Sequence, residues 1–222
     1  MRRPFAISLV LLTAVAMPAT AGATHKVGHG EPGPTESLTV VVKPNPIVYG
    51  GSTTIDGKLT SSTRAGKNVV LESDPHPYDN DFSNAGKVTT GPSGNYSFTE
   101  RPGLNTRYRV RQGNLLSPVI TVRVRVRTGL RLSDRTPDRR ERVRFFGRAC
   151  PPHAGTLVRV QRRAARRWVT VARTRTRDAK RCSRYSRRVR VFRDGLYRTV
   201  VARHGDHAAG ISPRRFIDVD LD

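Results

Sequence analysis

Arginine is the side chain whose abundance most suggests chemistry in this 222-residue chain. Residues 122–222 hold 29 lysines and arginines against nine acidic residues, whereas residues 37–121 hold nine against six. The planar guanidinium pairs with phosphate and carboxylate groups, so such a field attracts polyanions. The candidate contacts with an anionic polymer are Arg123, Arg125, Arg127, Arg162, Arg163, Arg166 and Arg167, with Trp168 as a stacking residue. The run RRVRV adds Arg187, Arg188 and Arg190 to the same basic half.

The arginine bias also has a plainer interpretation. Outer faces of strands need polar residues, arginine on a sheet edge discourages aggregation, and a GC-rich genome encodes arginine in place of lysine. A genome-wide effect does not explain why the bias is concentrated in one half of the chain. Binding of an acidic polysaccharide, a wall polymer, nucleic acid or a cell-surface component is therefore the alternative function, although no nucleic-acid-binding motif is present.

Two loops carry side chains of the types that bind metal ions. In DPHPYDND, Asp74, Asp79 and Asp81 offer oxygen ligands, but the run lacks the full calcium-loop pattern. In HGDH, His204 and His207 flank Asp206, but a closed site needs a fourth ligand and supporting partners. We therefore expect solvated loops and predict no metal and no other cofactor.

The motifs of the common enzyme classes are missing from the sequence. We find no Gly-x-Ser-x-Gly, no His-Glu-x-x-His, no phosphate-binding loop and no dinucleotide fingerprint. We expect a protein that is not an enzyme and has no small-molecule substrate.

The first 23 residues predict a secretory signal peptide. Met1-Arg-Arg is basic, Phe5 to Met17 is apolar, and both Ala19-Thr-Ala21 and Ala21-Gly-Ala23 fit a cleavage site. The apolar run is too short to span a membrane. Residues 24–36, rich in Gly, Pro and His, predict a flexible leader. We expect a secreted, extracellular mature protein without a membrane span, free or held at the cell surface by non-covalent contacts.

From Ser37 onward the sequence predicts short strands. Runs such as SLTVVVK, TTIDGKLT, KNVVLES, NYSFTE and RYRVRQ alternate polar with apolar residues and are separated by Gly, Pro or Asn. No stretch has a sustained helical period. Seven such runs in about 90 residues are typical of a β-sandwich.

The strand pattern then repeats, which predicts two copies of one unit at residues 37–121 and 122–222. The offset between matched residues is 90 for the first pair, 89 for the next two and 95 for the last. These pairs are Gly57 with Gly147, Tyr96 with Tyr185, Tyr108 with Tyr197, and Ser117 with Ser212. The late widening coincides with a longer loop, RHGDHAAG, in the second copy.

These motifs resemble tandem immunoglobulin-like repeats of secreted actinobacterial-type proteins. The residues that carry the resemblance are YGGSTTIDGKL, GNYSF, NTRYRV and GTLVRVQRRAARRW, and it covers Ser37 to Val219. It implies an all-β fold of two tandem immunoglobulin-like antiparallel β-sandwiches. It also implies a non-catalytic exported module that spaces or presents surfaces, since such repeats serve mostly as spacers and binding modules.

The resemblance gives structural roles to the tyrosines and cysteines. Tyr197 and Tyr108 have the spacing of a tyrosine corner, whereas Tyr96 and Tyr185 alternate into the core. Cys150 ends the second strand of copy two and Cys182 precedes its fifth, and those strands are antiparallel neighbours in an immunoglobulin-like sheet. The two cysteines are therefore predicted to form a disulfide.

Overall fold

The computed structural model describes residues 35–220, in which every regular element is a β-strand. The predicted signal peptide, residues 1–23, lies outside the described residues, as does the predicted leader apart from its last two residues. Within the described part of the chain we find no helix of the length and apolarity that a membrane crossing requires.

The first half of the described chain folds into a sandwich of two antiparallel sheets. Its strands are β1 (Ser37–Lys43), β2 (Ile47–Val48), β3 (Thr53–Thr60), β4 (Asn68–Pro75), β5 (Ser83–Thr89), β6 (Asn95–Glu100), β7 (Thr106–Gln112), β8 (Leu115–Leu116) and β9 (Ile120–Val122). One sheet has the order β1-β3-β6, and the other has the order β5-β4-β7, with β8 and β9 both paired to β7. Alternation along the strands buries Ile55 and Phe98 from one sheet against Leu71 and Val110 from the other.

The second half repeats this arrangement. Its strands are β10 (Val124–Arg125), β11 (Arg127–Thr128), β12 (Arg131–Leu132), β13 (Arg142–Cys150), β14 (Leu157–Ala164), β15 (Arg167–Arg175), β16 (Ser183–Arg190), β17 (Gly195–Val201), β18 (Gly210–Ile211) and β19 (Arg215–Ile217). Here β13 lies between β16 and the short strands β11 and β12, and the facing sheet has the order β15-β14-β17, with β18 and β19 paired to β17. The predicted fold class, two tandem immunoglobulin-like sandwiches, is confirmed.

The segment between the sandwiches serves both cores. Val122 and Val124 are fully buried in the core of the first sandwich, whereas Val126 and Leu130 are buried in the second. Within the predicted joining segment, residues 122–128, the chain therefore passes from the core of the first sandwich into the core of the second. The arginines that alternate with these valines are exposed.

A tyrosine crosses a glycine in each sandwich. Tyr185 pairs with Gly147 across β16 and β13, and its hydroxyl donates to the carbonyl of Gly129 on the far side of that glycine. A Cβ on Gly147 would lie 1.9 Å from the Gly129 oxygen and 2.7 Å from the Tyr185 hydroxyl. Tyr96 crosses Gly57 in the same way and reaches a carbonyl of β1. This shared geometry explains why glycine and tyrosine recur together in both repeats.

The other two predicted tyrosines bond upstream in different ways. The hydroxyl of Tyr197 donates to the carbonyl of Arg193, four residues earlier, at 3.1 Å. The hydroxyl of Tyr108 contacts the side chain of Thr106, which itself donates to the carbonyl of Leu104 at 2.9 Å. Tyr108 therefore reaches the position four residues upstream through an intermediate hydroxyl. Both tyrosine rings are buried.

The predicted disulfide between Cys150 and Cys182 is confirmed. It joins the end of β13 to the residue before β16 and closes a sequence separation of 32 residues. The first sandwich has no cysteine, so this covalent bond is a difference between the two copies.

Candidate functional site

A loop that distinguishes the two copies lies at the junction of the sandwiches. We name residues 202–209, between β17 and β18, the junction loop; it contains most of the RHGDHAAG sequence. His204 and His207 exchange two backbone hydrogen bonds of 3.1 Å, which fold the loop into a tight turn around Gly205 and Asp206. Both histidines are thereby brought to the same end of the loop.

The junction loop contacts the first sandwich directly. The backbone N–H of Asn105 donates to the carbonyl of Asp206 at 2.9 Å, and its side-chain amide donates to the carbonyl of Gly205 at 3.4 Å. The Nε2 atom of His207 lies 2.8 Å from the carbonyl of Gly103. Since a carbonyl oxygen only accepts, Nε2 of His207 carries the proton.

The joining segment is hydrogen-bonded on both sides. Strand β10 pairs in parallel with β2 of the first sandwich, and Tyr49 donates to the carbonyl of Arg125 at 2.9 Å. On its other side, Ala208 of the junction loop donates to the carbonyl of Val124 at 2.8 Å and accepts from Val126 at 3.1 Å. A segment held in this way does not behave as a free linker.

Three side chains converge behind the turn of the junction loop. His153 Nε2 lies 3.2 Å from His207 Nδ1 and 3.7 Å from Asp206 Oδ1, and His207 Nδ1 lies 3.1 Å from Asp206 Oδ2. Within residues 35–220 this is the one group of three such ligands whose ligand atoms lie within 4.8 Å of one another. His204 adds a contact of 2.7 Å from its Nδ1 to Asp206 Oδ1. We name His153, Asp206 and His207 the junction triad.

Burial and mutual contacts set the charge of the junction triad. The side chains of His207, His153 and Asp206 are 0%, 10% and 22% exposed. Burial lowers the pKa of His153, with Asp206 opposing this effect and the rings of His207 and His204 adding to it. Burial alone would raise the pKa of Asp206, but hydrogen bonds from His204 and His207 hold it below its ordinary value.

The disulfide end of β13 positions His153. The backbone N–H of His153 donates to the hydroxyl of Ser183 at 2.8 Å, and the hydroxyl of Thr176 donates to its carbonyl. Ser183 is directly bonded to Cys182, and His153 follows Cys150 by three residues. The disulfide and the junction loop, both specific to the second copy, thus meet at one place.

The arginines singled out in the sequence fall into two separate groups. Arg123, Arg125 and Arg127 are exposed on the joining segment. The others lie on the β14–β15 hairpin, namely Arg162 and Arg163 on β14, Arg166 at its tip and Arg167 at the start of β15. The two groups lie on different structural elements.

The ring of Trp168 is in contact with arginine side chains of the same sandwich. The guanidinium carbon of Arg198 lies 4.1 Å from the centre of the Trp168 ring, and those of Arg163 and Arg214 lie 5.8 Å away. Burial lowers the pKa of Arg198, and the charges of Arg214 and Arg163 add to this effect. Trp168 therefore stacks against arginine within the chain itself.

A larger basic surface lies on β13 and β16. Three pairs of arginines oppose each other directly across these strands, and all six side chains are exposed. We name them the arginine face: Arg142 with Arg190, Arg144 with Arg188, and Arg148 with Arg184. Like charges directly opposite one another destabilise a sheet. Within residues 35–220 no carboxylate forms an ion pair with any of the six, whereas three arginines of the first sandwich pair with buried acids.

A groove of about 870 Å³ runs along part of the arginine face. Arg131, Arg144, Arg148 and Arg184 contribute to its wall together with Phe146. The guanidinium of Arg144 lies 4.4 Å from the centre of the Phe146 ring. The groove thus combines several guanidinium groups with an aromatic surface.

The three aspartates of the acidic loop in the first sandwich do not lie together. Asp74 is buried on β4, where its Oδ2 lies 3.8 Å from Arg107 and, among the described residues, its Oδ1 has no hydrogen-bond partner. Asp79 and Asp81 are exposed in the following loop. Within residues 35–220 their carboxylates do not form a group of three with metal-ligand spacing.

Sequence reasoning missed His153 and the pairing of the arginine face. His153 lies 54 residues from His207, so its position depends on the tertiary fold. Its one local signal is that it follows Cys150-Pro-Pro, next to the predicted disulfide. The alternate arginines of RVRFFGR and SRYSRRVR were visible in the sequence, but their opposition depends on the register of β13 against β16.

No protein-family model and no curated protein matches the chain at a significant level. Among solved structures, the chain is similar to a tetra-tandem repeat from the extending region of a large adhesion protein, with 17% identity over 83% of this chain, 50% of the other and a TM-score of 0.36. It is also similar to the D0-D1 domain of intimin, with 8% identity over 83% and 98% of the two chains and a TM-score of 0.31.

A third similar structure is a Y1175G mutant of Salmonella alpha-2-macroglobulin, with 12% identity, 83% of this chain, 16% of the other and a TM-score of 0.34. The chain thus spans half of the adhesion-protein structure, nearly all of the intimin structure and a small part of the macroglobulin. Likenesses this distant assign no function.

Proposed function

We propose that this chain is a non-catalytic extracellular structural module in which two immunoglobulin-like sandwiches form one stiff unit. The observation that carries the proposal is the hydrogen-bonded docking of the junction loop onto the first sandwich, where buried His207 donates to the carbonyl of Gly103. A module that spaces or presents surfaces outside the cell needs a fixed relation between its parts, and this docking supplies one.

The disulfide supports a place outside the cytoplasm. The disulfide is typical of proteins that fold in an oxidising compartment. The predicted signal peptide and membership of the actinobacterial-type repeat proteins remain predictions from the sequence. Mass spectrometry of the secreted protein would show loss of the first 23 residues, and a secreted form that still begins at Met1 would contradict the signal peptide.

Small-angle X-ray scattering of the oxidised protein tests the stiff module. We expect one arrangement of the two sandwiches to reproduce the whole profile. His207→Ala should broaden the ensemble, because it removes the buried contact with Gly103. His204→Ala is the control, since that side chain is 57% exposed and contacts Asp206 and His153, which both belong to the second sandwich. A wild-type profile that requires many arrangements would contradict the proposal.

A second function, binding of an anionic polymer, is favoured by the arginine face. Three pairs of arginines oppose one another, and in the described chain no carboxylate pairs with them. A bound polyanion would relieve the repulsion between these arginines. The paired arginines lie about 4.8 Å apart across the strands. Along each strand two of the three arginines lie about 6.7 Å apart and the third about 13 Å further, since Phe146 and Ser186 form the intervening pair. Guanidinium groups placed in this way suit the phosphate, sulfate or carboxylate groups of a polymer.

Two triple variants with equal charge loss test this function. The variant R144Q/R184Q/R188Q changes the arginine face, whereas R163Q/R166Q/R167Q changes the β14–β15 hairpin. On heparin and on DNA columns, the arginine-face variant should elute at clearly lower salt than wild type. The slope of its log K against log salt should be smaller in magnitude by about 2–3. The hairpin variant should stay close to wild type in both measurements. Equal elution of both variants would show that net charge alone causes retention and would contradict a binding face.

A further inference from the structure

The junction triad has the spacing of metal ligands. A tetrahedral ion with bonds of about 2.0–2.1 Å separates its ligand atoms by about 3.3 Å. Nδ1 of His207 lies 3.2 Å from Nε2 of His153 and 3.1 Å from Oδ2 of Asp206. The other oxygen of Asp206, Oδ1, lies 3.7 Å from Nε2 of His153. One ligand atom from each residue thus lies within 4.8 Å of the other two, and the carboxylate of Asp206 has an oxygen near each imidazole.

The hydrogen bond from His207 to the first sandwich fixes the ring in a ligand orientation. Because Nε2 of His207 donates to the carbonyl of Gly103, Nδ1 is the ring nitrogen that faces His153 and Asp206, and a metal ion would bind the lone pair that Nδ1 has once it is deprotonated. A ligating histidine typically donates its other ring nitrogen to a carbonyl or carboxylate in this way. His207 is 0% exposed, so this lone pair is hidden from bulk water.

Outer contacts hold two of the three ligands of the junction triad in place. Nε2 of His207 donates to the carbonyl of Gly103, and the oxygen of Asp206 that faces away from His207 lies 2.7 Å from Nδ1 of His204. Hydrogen bonds of this kind orient the ligands of metal sites in proteins. The junction triad therefore has supporting partners as well as ligand spacing.

The donor set selects the class of cation. Two imidazole nitrogens and one carboxylate oxygen suit zinc and its neighbours among the divalent transition metals, whereas calcium and magnesium require oxygen ligands. Asp206 is 22% exposed and His204 is 57% exposed, so the open side of the triad admits a water molecule or the ring of His204 as a fourth ligand. Within the described chain both cysteines are in the disulfide and offer no thiolate.

We propose that His153, Asp206 and His207 bind one divalent transition-metal ion, with zinc as the best-suited metal. The ion joins the loop after β13 to the junction loop. It thereby braces the turn that docks on Gly103 and Asn105 of the first sandwich. This site is separate from the arginine face and does not depend on binding of any polymer.

Metal titration of the oxidised, untagged, full-length mature protein tests the site. After removal of metals with a chelator, we expect calorimetry to show one zinc equivalent that is lost, or weakened at least about tenfold, in His153→Gln and in Asp206→Asn. Cobalt should give the visible bands of a four-coordinate ion in wild type but not in these variants. Calcium and magnesium should produce no heat at the same concentrations.

His76→Gln is the matched control. This histidine lies against Gly205 at the same junction but is not one of the triad, so its replacement should leave zinc binding unchanged. His25 and His29 of the leader remain in every variant, so the difference from wild type isolates the junction. The inference is overturned if wild type binds no zinc in the micromolar range. It is overturned equally if His153→Gln and Asp206→Asn bind the same equivalent with wild-type affinity.

Discussion

His207 belongs to the second sandwich, yet its buried ring donates from Nε2 to the backbone carbonyl of Gly103 in the first sandwich, at 2.8 Å. The two residues are 104 positions apart in sequence. The loop that carries His207 has no counterpart of equal length in the first copy, where the corresponding strands are joined by a short turn. A local difference between two otherwise matched repeats therefore fixes how the repeats are joined.

Glycine at the tyrosine crossing should be essential for the second sandwich. In Gly147→Ala the new methyl group meets the Gly129 carbonyl at 1.9 Å, so we expect loss of about 3 kcal/mol or more of unfolding free energy. Gly129→Ala is the matched control, because a Cβ there has open space. Chemical denaturation measures both, and equal stability of the two variants would contradict the crossing.

Loss of the disulfide should destabilise the second sandwich and leave the first intact. The double variant C150S/C182S removes a bridge that closes a separation of 32 residues, for which we expect a cost of about 3–4 kcal/mol. Hydrogen exchange resolves the effect by strand. Protection of backbone amides against exchange should fall along β13 and β16 but should be unchanged along β3 and β6. Uniform loss of protection across both sandwiches would show that they unfold as a single unit.

The first sandwich should lose stability in acid through Glu72. Its carboxylate accepts from Arg111 at 2.6 Å and from Arg109 at 2.7 Å. Burial alone would raise the pKa of Glu72, but these hydrogen bonds and charges hold it below its ordinary value of 4.5. The folded state therefore favours the ionised form. The contribution of Glu72 to stability is complete above the pKa that Glu72 has in the unfolded chain. It is lost as the pH falls through the lower pKa of the folded state.

The variant Glu72→Gln isolates this contribution. We expect it to cost about 1–3 kcal/mol at pH 7, because two guanidinium groups lose their partner. The difference from wild type should shrink as the pH is lowered from 5 toward 3. Urea unfolding at several pH values measures it. A difference that stays constant between pH 7 and pH 3 would contradict the lowered pKa.

The strands were predictable because their signal is local. Alternation in TTIDGKLT or RVRFFGR reports which side chains face the core without knowledge of any partner strand. The repeat offset of Tyr96 and Tyr185 indicated that both do the same structural work, and the crossing of Gly57 and Gly147 gives the reason.

The candidate sites were less predictable, since they depend on contacts distant in sequence. HGDH showed three of the four polar side chains at the junction, but the fourth, His153, comes from the loop after β13. The arginine face depends on the register that sets Arg144 opposite Arg188. A shift of that register by one residue would move one row of arginines into the core.

Nuclear magnetic relaxation of backbone amides most directly tests whether the two sandwiches form one stiff unit. Because the junction loop and the joining segment are hydrogen-bonded to both halves, amides in β3 and in β13 should report the same overall rotational correlation time. That time should be the value expected for the entire mature chain. Two different and shorter correlation times, one for each sandwich, would contradict the account.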